Sequence, residues 1–130
     1  MVLRFPYDEN KMKELMSYNR RFVNQDKLEE ILYSGYAKRI NNAWHHYDSK
    51  LKKYVITYKI QLRGVEISVT VPQDSEEYNE LGELYRNRRH MDESEFRLKD
   101  CEKQYVLVNK LSDWKNKKNE EMKDLYIGDY

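Results

Sequence analysis

Apolar and polar residues alternate most clearly between residues 54 and 71. Tyr54, Ile56, Tyr58, Ile60 and Leu62 interleave with Lys53, Val55, Thr57, Lys59 and Gln61, and Val65, Ile67, Val69 and Val71 interleave with Glu66, Ser68 and Thr70. Successive side chains of a strand point to opposite faces, so this period of two predicts strands over 53–62 and 65–72, each with one apolar face. The Arg63-Gly64 step between them has the length of a tight hairpin, with Gly64 supplying the positive φ. The register that gathers the apolar residues on one face pairs Leu62 with Val65, Ile60 with Ile67, Tyr58 with Val69, and Ile56 with Val71.

Helical spacing flanks this hairpin. Met12, Leu15, Met16 and Phe22 predict a helix over 9–22, capped by Asp8. Leu28, Ile31 and Leu32 predict a second over 26–34, opened by an Asp26/Glu29 capping box and stopped by Gly35. Tyr78, Leu81, Leu84 and Tyr85 predict a third over 75–89, opened by Asp74 and Glu77. Asp92 and Glu95 open a fourth over 93–124, with Cys101, Tyr105, Val108 and Leu111 as its stripe. Within it, 103–109 fits either a helix or a short strand.

Residues 37–47 carry two patterns. Ala37, Ile40, Trp44 and Tyr47 are spaced as on a helix, yet Tyr47-Asp48-Ser49-Lys50 reads as a turn feeding the next strand. A third strand is preferred, because a lone hairpin is marginal in water. In that strand Ile40, Trp44 and His46 point with the apolar face, and Arg39, Asn41, His45 and Tyr47 point away from it. The expected fold is α+β in one domain over 1–130. A three-stranded antiparallel sheet (37–47, 53–62, 65–72) is covered on one face by helices 9–22, 26–34, 75–89 and 93–124.

Composition supports a globular chain: 39% of the 130 residues are apolar, enough for a core, and 4 Gly and 2 Pro leave no room for a linker. No apolar run approaches the ~20 residues that cross a bilayer. The opening Met-Val-Leu-Arg-Phe-Pro is charged too early for a secretory signal. The single cysteine excludes an internal disulfide. The expectation is a cytoplasmic chain with no membrane contact, in which Cys101 serves as a small buried apolar group.

Charge adds more. The net +1 conceals a segment, 37–63, with seven basic residues against Asp48 alone, and a second segment, 74–83, with five acids and no base. Cations interleaved with rings suit single-stranded nucleic acid, since cations meet phosphates and rings stack on bases. Arg86, Arg88 and Arg89 form a second basic cluster at a helix end, where they complement the helix dipole or clamp an anion. The candidate binding set is therefore Arg39, His45, Tyr47, Lys53, Lys59, Arg63, Arg86, Arg88 and Arg89. The expected partner is nucleic acid, or an acidic or nucleic-acid-handling protein.

Adjacent strand residues face opposite ways, so His45 and His46 do not chelate one ion, and His90 and Cys101 match no ligand spacing. No metal or other cofactor is expected. No nucleophile motif or oxyanion loop accompanies the histidines, so no catalytic residue is assigned. Trp44 is assigned to the core, Trp114 is a candidate protein interface, and the stripe of the long helix leaves room for a homodimer. The expected function is a small non-catalytic binding protein, a type common in phages and mobile elements, acting as a regulator through the basic sheet region. One alternative is a protein inhibitor or adaptor, for example of a host defence nuclease, using exposed Tyr and Trp. A metal-dependent enzyme using His45, His46 or His90 is a second alternative.

Overall fold

A computed structural model describes residues 8–127. The elements in order are α1 (Glu9–Met16), β1 (Arg21–Phe22), α2 (Gln25–Leu32), β2 (Ala37–Asp48), β3 (Lys53–Leu62), β4 (Glu66–Pro72), α3 (Glu76–Arg86), a short 3-10 turn (Arg88–His90) and α4 (Glu93–Lys123). The class is α+β, as expected. The sheet has four strands rather than three, in the order β1-β4-β3-β2, and it is mixed, because β1 runs parallel to β4.

The β3–β4 hairpin has the expected register: Ile60 opposes Ile67, Tyr58 opposes Val69, and Ile56 opposes Val71. Gly64 turns the chain with φ +76. Together with Tyr54 and Leu62, these residues face helices carrying Met12, Leu15, Leu28, Ile31, Leu32, Tyr78, Leu81, Leu84, Phe96, Leu107, Leu111 and Met122, and one core results.

The expected first helix, 9–22, stops at Met16. Asp8 caps it, accepting from the amides of Asn10 and Lys11. The chain then turns at Arg20, φ +63, and the next residues attach to the edge of β4. Arg20 N–H donates to Ser68 O (2.6 Å), Val23 N–H donates to Thr70 O (2.9 Å), and Asn19 Oδ1 accepts from Ser68 N–H (2.9 Å). A two-residue parallel strand is too short to carry a period, so Phe22 reads as helical in sequence while it sits on the sheet.

Three other boundaries move. Asn24, not Asp26, caps α2, accepting from Lys27 N–H at 2.7 Å. Ser75 precedes α3 without a side-chain cap, because Asp74 is instead drawn to Lys53 at 2.9 Å. Helix α3 ends at Arg86, and the expected last turn is 3-10. The ambiguous segment 103–109 is helical, inside the 31-residue α4.

Strand β2 exists as expected but contains two irregularities. Ala37 opposes Leu62 while Arg39 opposes Gln61, and Ile40 opposes Ile60 while Asn42 opposes Lys59, so Lys38 and Asn41 are extra residues. Each β-bulge shifts the facing of the later strand residues by one position. Ala37, Ile40 and Ala43, three apart, consequently all face the helices.

No described helix is long and apolar enough to cross a membrane.

Candidate functional site

The bulge at Asn41 divides the sequence-nominated residues. After it, His45 and Tyr47 point toward the helices, and Trp44 and His46 point to the opposite face, the reverse of the strict alternation expected from sequence. Trp44 is thus not core. It shares a cross-strand row with Thr57 and Thr70, which oppose each other, and with Phe22 on β1. The Lys59 ammonium lies 5.7 Å from the centre of the Trp44 ring. His46 Nε2 shares a hydrogen bond with Thr57 Oγ1 (2.9 Å), which is 3.0 Å from Thr70 Oγ1.

The face opposite the helices is less basic than the sequence implies. Arg39 Nε donates to Asn41 Oδ1 (2.8 Å), and Asn41 Nδ2 donates to Glu66 (2.7 Å) and Gln61 (3.1 Å). Lys53 is paired with Asp74. Part of the acidic segment 74–83 is also paired within the fold: Lys110 holds Glu77 at 2.7 Å and Lys103 holds Glu80 at 2.9 Å, tying α3 to α4. Arg63 is half-buried in the β3–β4 turn. It lies at the far end of β3 from Lys53, about 30 Å away at the rise of a strand.

His45 belongs to a polar cluster under α4. Its Nε2 hydrogen-bonds Gln104 Oε1, and Gln104 Nε2 reaches the Tyr54 hydroxyl (3.3 Å) and Asp100 (3.2 Å). Its ring packs edge-on to Tyr78, with centres 5.6 Å apart. Its Nδ1 has no hydrogen-bond partner among the described residues. Burial, then the neighbouring Tyr85 hydroxyl, pushes the Tyr54 phenol well above the ordinary tyrosine range. Burial likewise raises Tyr58 far up, and Tyr78 up to about 12. These phenols are neutral packing groups at any physiological pH.

Tyr47 goes elsewhere. It is the first residue of a convergence at the β2–β3 end of the sheet. An open cleft of about 890 Å³ there is lined by Tyr47, Ser49 and Lys52 from the hairpin, Tyr85 and Arg86 from α3, Arg88 and Arg89 from the 3-10 turn, and Met91 and Glu93 beyond it. The Tyr47 and Tyr85 rings stack, with centres 5.8 Å apart and planes 13° from parallel. The local backbone builds this arrangement. Asp48 Oδ1 accepts from Lys50 and Leu51 N–H, both at 2.9 Å, which closes the hairpin turn, and Lys52 comes next in the left-handed region at φ +56. The Lys52 carbonyl then accepts from Arg86 Nη1 at 2.9 Å, pinning α3 to the turn. Gly82, mid-helix, makes room, since a Cβ there would stand 3.3 Å from Arg86 Nη1 and 3.9 Å from the Tyr47 ring.

Arg88 is oriented by Glu93 (3.0 Å) and lies 4.4 Å from the Phe96 ring centre. Arg89 is exposed and makes no ion pair among the described residues. The cleft thus gathers four cations, one carboxylate and a pair of stacked rings; a lysine offers an anion a point charge and an arginine a planar fork. The structure therefore joins Tyr47 with Arg86, Arg88 and Arg89, and leaves Arg39, His45, Lys53, Lys59 and Arg63 outside the cleft. Sequence reasoning missed Lys52 and Tyr85. The hairpin turn at 48–52 marks Lys52 as a tip residue, but nothing local reports that Tyr85 meets Tyr47.

Trp114 is half-buried against Tyr58, ring centres 5.4 Å apart, with the Lys118 ammonium 5.7 Å from its ring. Cys101 is an exposed free thiol, not a core group. Among the described residues no group of three or more His, Cys, Asp or Glu is placed to hold a metal ion. Comparison of the chain with family models, with curated proteins and with solved structures returns no match.

Proposed function

We propose that this chain is a non-catalytic binding protein that takes single-stranded nucleic acid in the cleft at the β2–β3 end of the sheet. The observation that carries this reading is the Tyr47–Tyr85 stack framed by Lys52, Arg86, Arg88 and Arg89. Aromatic faces accept unpaired bases whatever their sequence, and cations beside them neutralise the connecting phosphates. The cleft is broad and open, which suits a segment of a polymer better than an enclosed small molecule. The free thiol Cys101 fits a reducing, cytoplasmic setting. The interface is then the cleft and not the sheet face opposite the helices, which carries no stacked pair of rings among the described residues.

The test is fluorescence anisotropy with a labelled single-stranded oligonucleotide at graded salt. Engagement of three to four cations predicts a log–log salt slope of about −2 to −3, and Arg89→Ala makes it shallower by about 0.7. Arg89 is exposed and makes no ion pair among the described residues, so its loss leaves folding intact. Binding that ignores salt, or that is unchanged in Arg89→Ala, overturns the assignment of the cleft. Absence of binding to DNA and RNA alike overturns the function.

A further inference from the structure

Helix α4 carries two apolar lines, and the fold uses one. Phe96, Leu107, Leu111 and Met122 are buried. Leu98, Cys101, Tyr105 and Val108 form the second line; Leu98 is 63% exposed, Tyr105 71% and Val108 52%, and Cys101 is exposed as well. Their spacing of three, four and three residues confines them to an arc of about 80° on the helix and a length of about 15 Å. That is the a/d spacing of two successive heptads, with Leu98 and Tyr105 at a positions and Cys101 and Val108 at d positions.

Charge selects the occupant and its direction. Arg97 and Glu102 border the seam on opposite sides, five residues apart, at the g and e positions whose side chains meet across a parallel pair. Arg97 lies 3.5 Å from Glu93 on its own helix, and Glu102 has no ion pair among the described residues. The next such pair, Gln104 and Asn109, is uncharged and adds no repulsion, and the Gln104 amide stays bonded within its own chain to His45, Tyr54 and Asp100. In an antiparallel pairing centred on the same seam, Glu102 would instead face its own copy, which is repulsive.

We propose that α4 pairs with α4 of a second copy of this chain, parallel and two-fold symmetric, through Leu98, Cys101, Tyr105 and Val108, with Arg97 of each copy against Glu102 of the other. Two-fold symmetry places the remainder of each copy on opposite sides of the helix pair. Parallel pairing also brings both N-terminal ends of α4 together, and with them the two clefts that Met91 and Glu93 line. The pairing does not depend on what the clefts bind.

Sedimentation equilibrium on the full chain, from micromolar to millimolar protein under reducing conditions, reads the association. A monomer–dimer equilibrium is expected. Tyr105→Glu, at an exposed position where folding is undisturbed, weakens it by about tenfold or more, the effect of losing one buried side chain from the seam. Arg97→Glu weakens it as well, and Arg97→Glu combined with Glu102→Arg restores it. In the dimer an added oxidant links Cys101 to its copy, and Tyr105→Glu abolishes that link at the same concentration. A chain that is monomeric throughout, or a dimer indifferent to Tyr105→Glu, overturns the proposal. A dimer that neither links through Cys101 nor responds to the charge swap overturns the parallel arrangement.

Discussion

The Asn119 side chain on α4 takes up both backbone groups of Ile40 on β2. Its Oδ1 accepts from Ile40 N–H at 2.7 Å, and its Nδ2 donates to Ile40 O at 3.2 Å. Strand β2 is a sheet edge, and an edge strand presents unpaired amides and carbonyls that template pairing with other chains. One primary amide supplies both missing partners between the two bulges.

Asn119→Ala should therefore leave a half-buried amide and carbonyl unmet, and lower stability by about 1–3 kcal/mol. Asn119→Asp retains the acceptor, loses the donor and sets a carboxylate against a carbonyl, so it should fail to rescue. Urea midpoints give the stability change. Faster hydrogen exchange at the Ile40 amide, with protection in β3 and β4 retained until global unfolding, localises it.

Ring and charge contributions in the cleft separate by substitution. Tyr47→Phe preserves the stack on Tyr85 and should bind an oligonucleotide about as the parent does. Tyr47→Ala removes a platform worth about 1–3 kcal/mol per base, yet leaves the salt slope unchanged, because no cation is lost. Anisotropy titrations of both variants beside Arg89→Ala read the two effects independently.

Trp44 reports on the competing surface. It lies exposed on the sheet face opposite the helices, beside Lys59, whereas Trp114 is packed against Tyr58. In Trp114→Phe, where Trp44 is the sole tryptophan and is excited selectively over the 12 tyrosines, acrylamide should quench the tryptophan fluorescence readily, and a saturating oligonucleotide should not protect it. Protection of Trp44 on binding would place the nucleic acid on the sheet face and not in the cleft.

Alkaline pH should unfold the chain through its buried phenols. An unfolded tyrosine ionises near about 10, while burial moves Tyr78 up to about 12 and carries Tyr54 and Tyr58 further. Each pKa is raised on folding, so the stability these groups contribute is complete below about pH 10. It falls as pH climbs from there through 12, because the unfolded chain releases protons that the folded chain retains. Urea midpoints against pH should decline over that range, and tyrosinate absorbance should show a late fraction that appears only on unfolding.

The sequence by itself determined the β3–β4 hairpin, its register and most of the helical content on either side, because period two and period 3.6 are local properties of the chain; for 37–47 it left strand and helix both open and preferred the strand only because a lone hairpin is marginal. It also marked Arg86, Arg88 and Arg89 as one cluster, since three cations at a helix end are visible without a fold. Tertiary structure decided which way β2 faces. Lys38 and Asn41 enter as bulges, and they imitate helical spacing in Ala37, Ile40 and Ala43 while reversing the parity that sends Trp44 outward and Tyr47 inward. It also decided that Asp74, Glu80 and Glu77 of the acidic run pair with Lys53, Lys103 and Lys110. The attachment of Arg21–Phe22 to β4, and the meeting of Tyr47 with Tyr85 beside Lys52, likewise required the assembled fold. A bulge is fixed by what the strand must cover on each side, and a cleft by chain segments far apart in sequence, so neither leaves a local period to read.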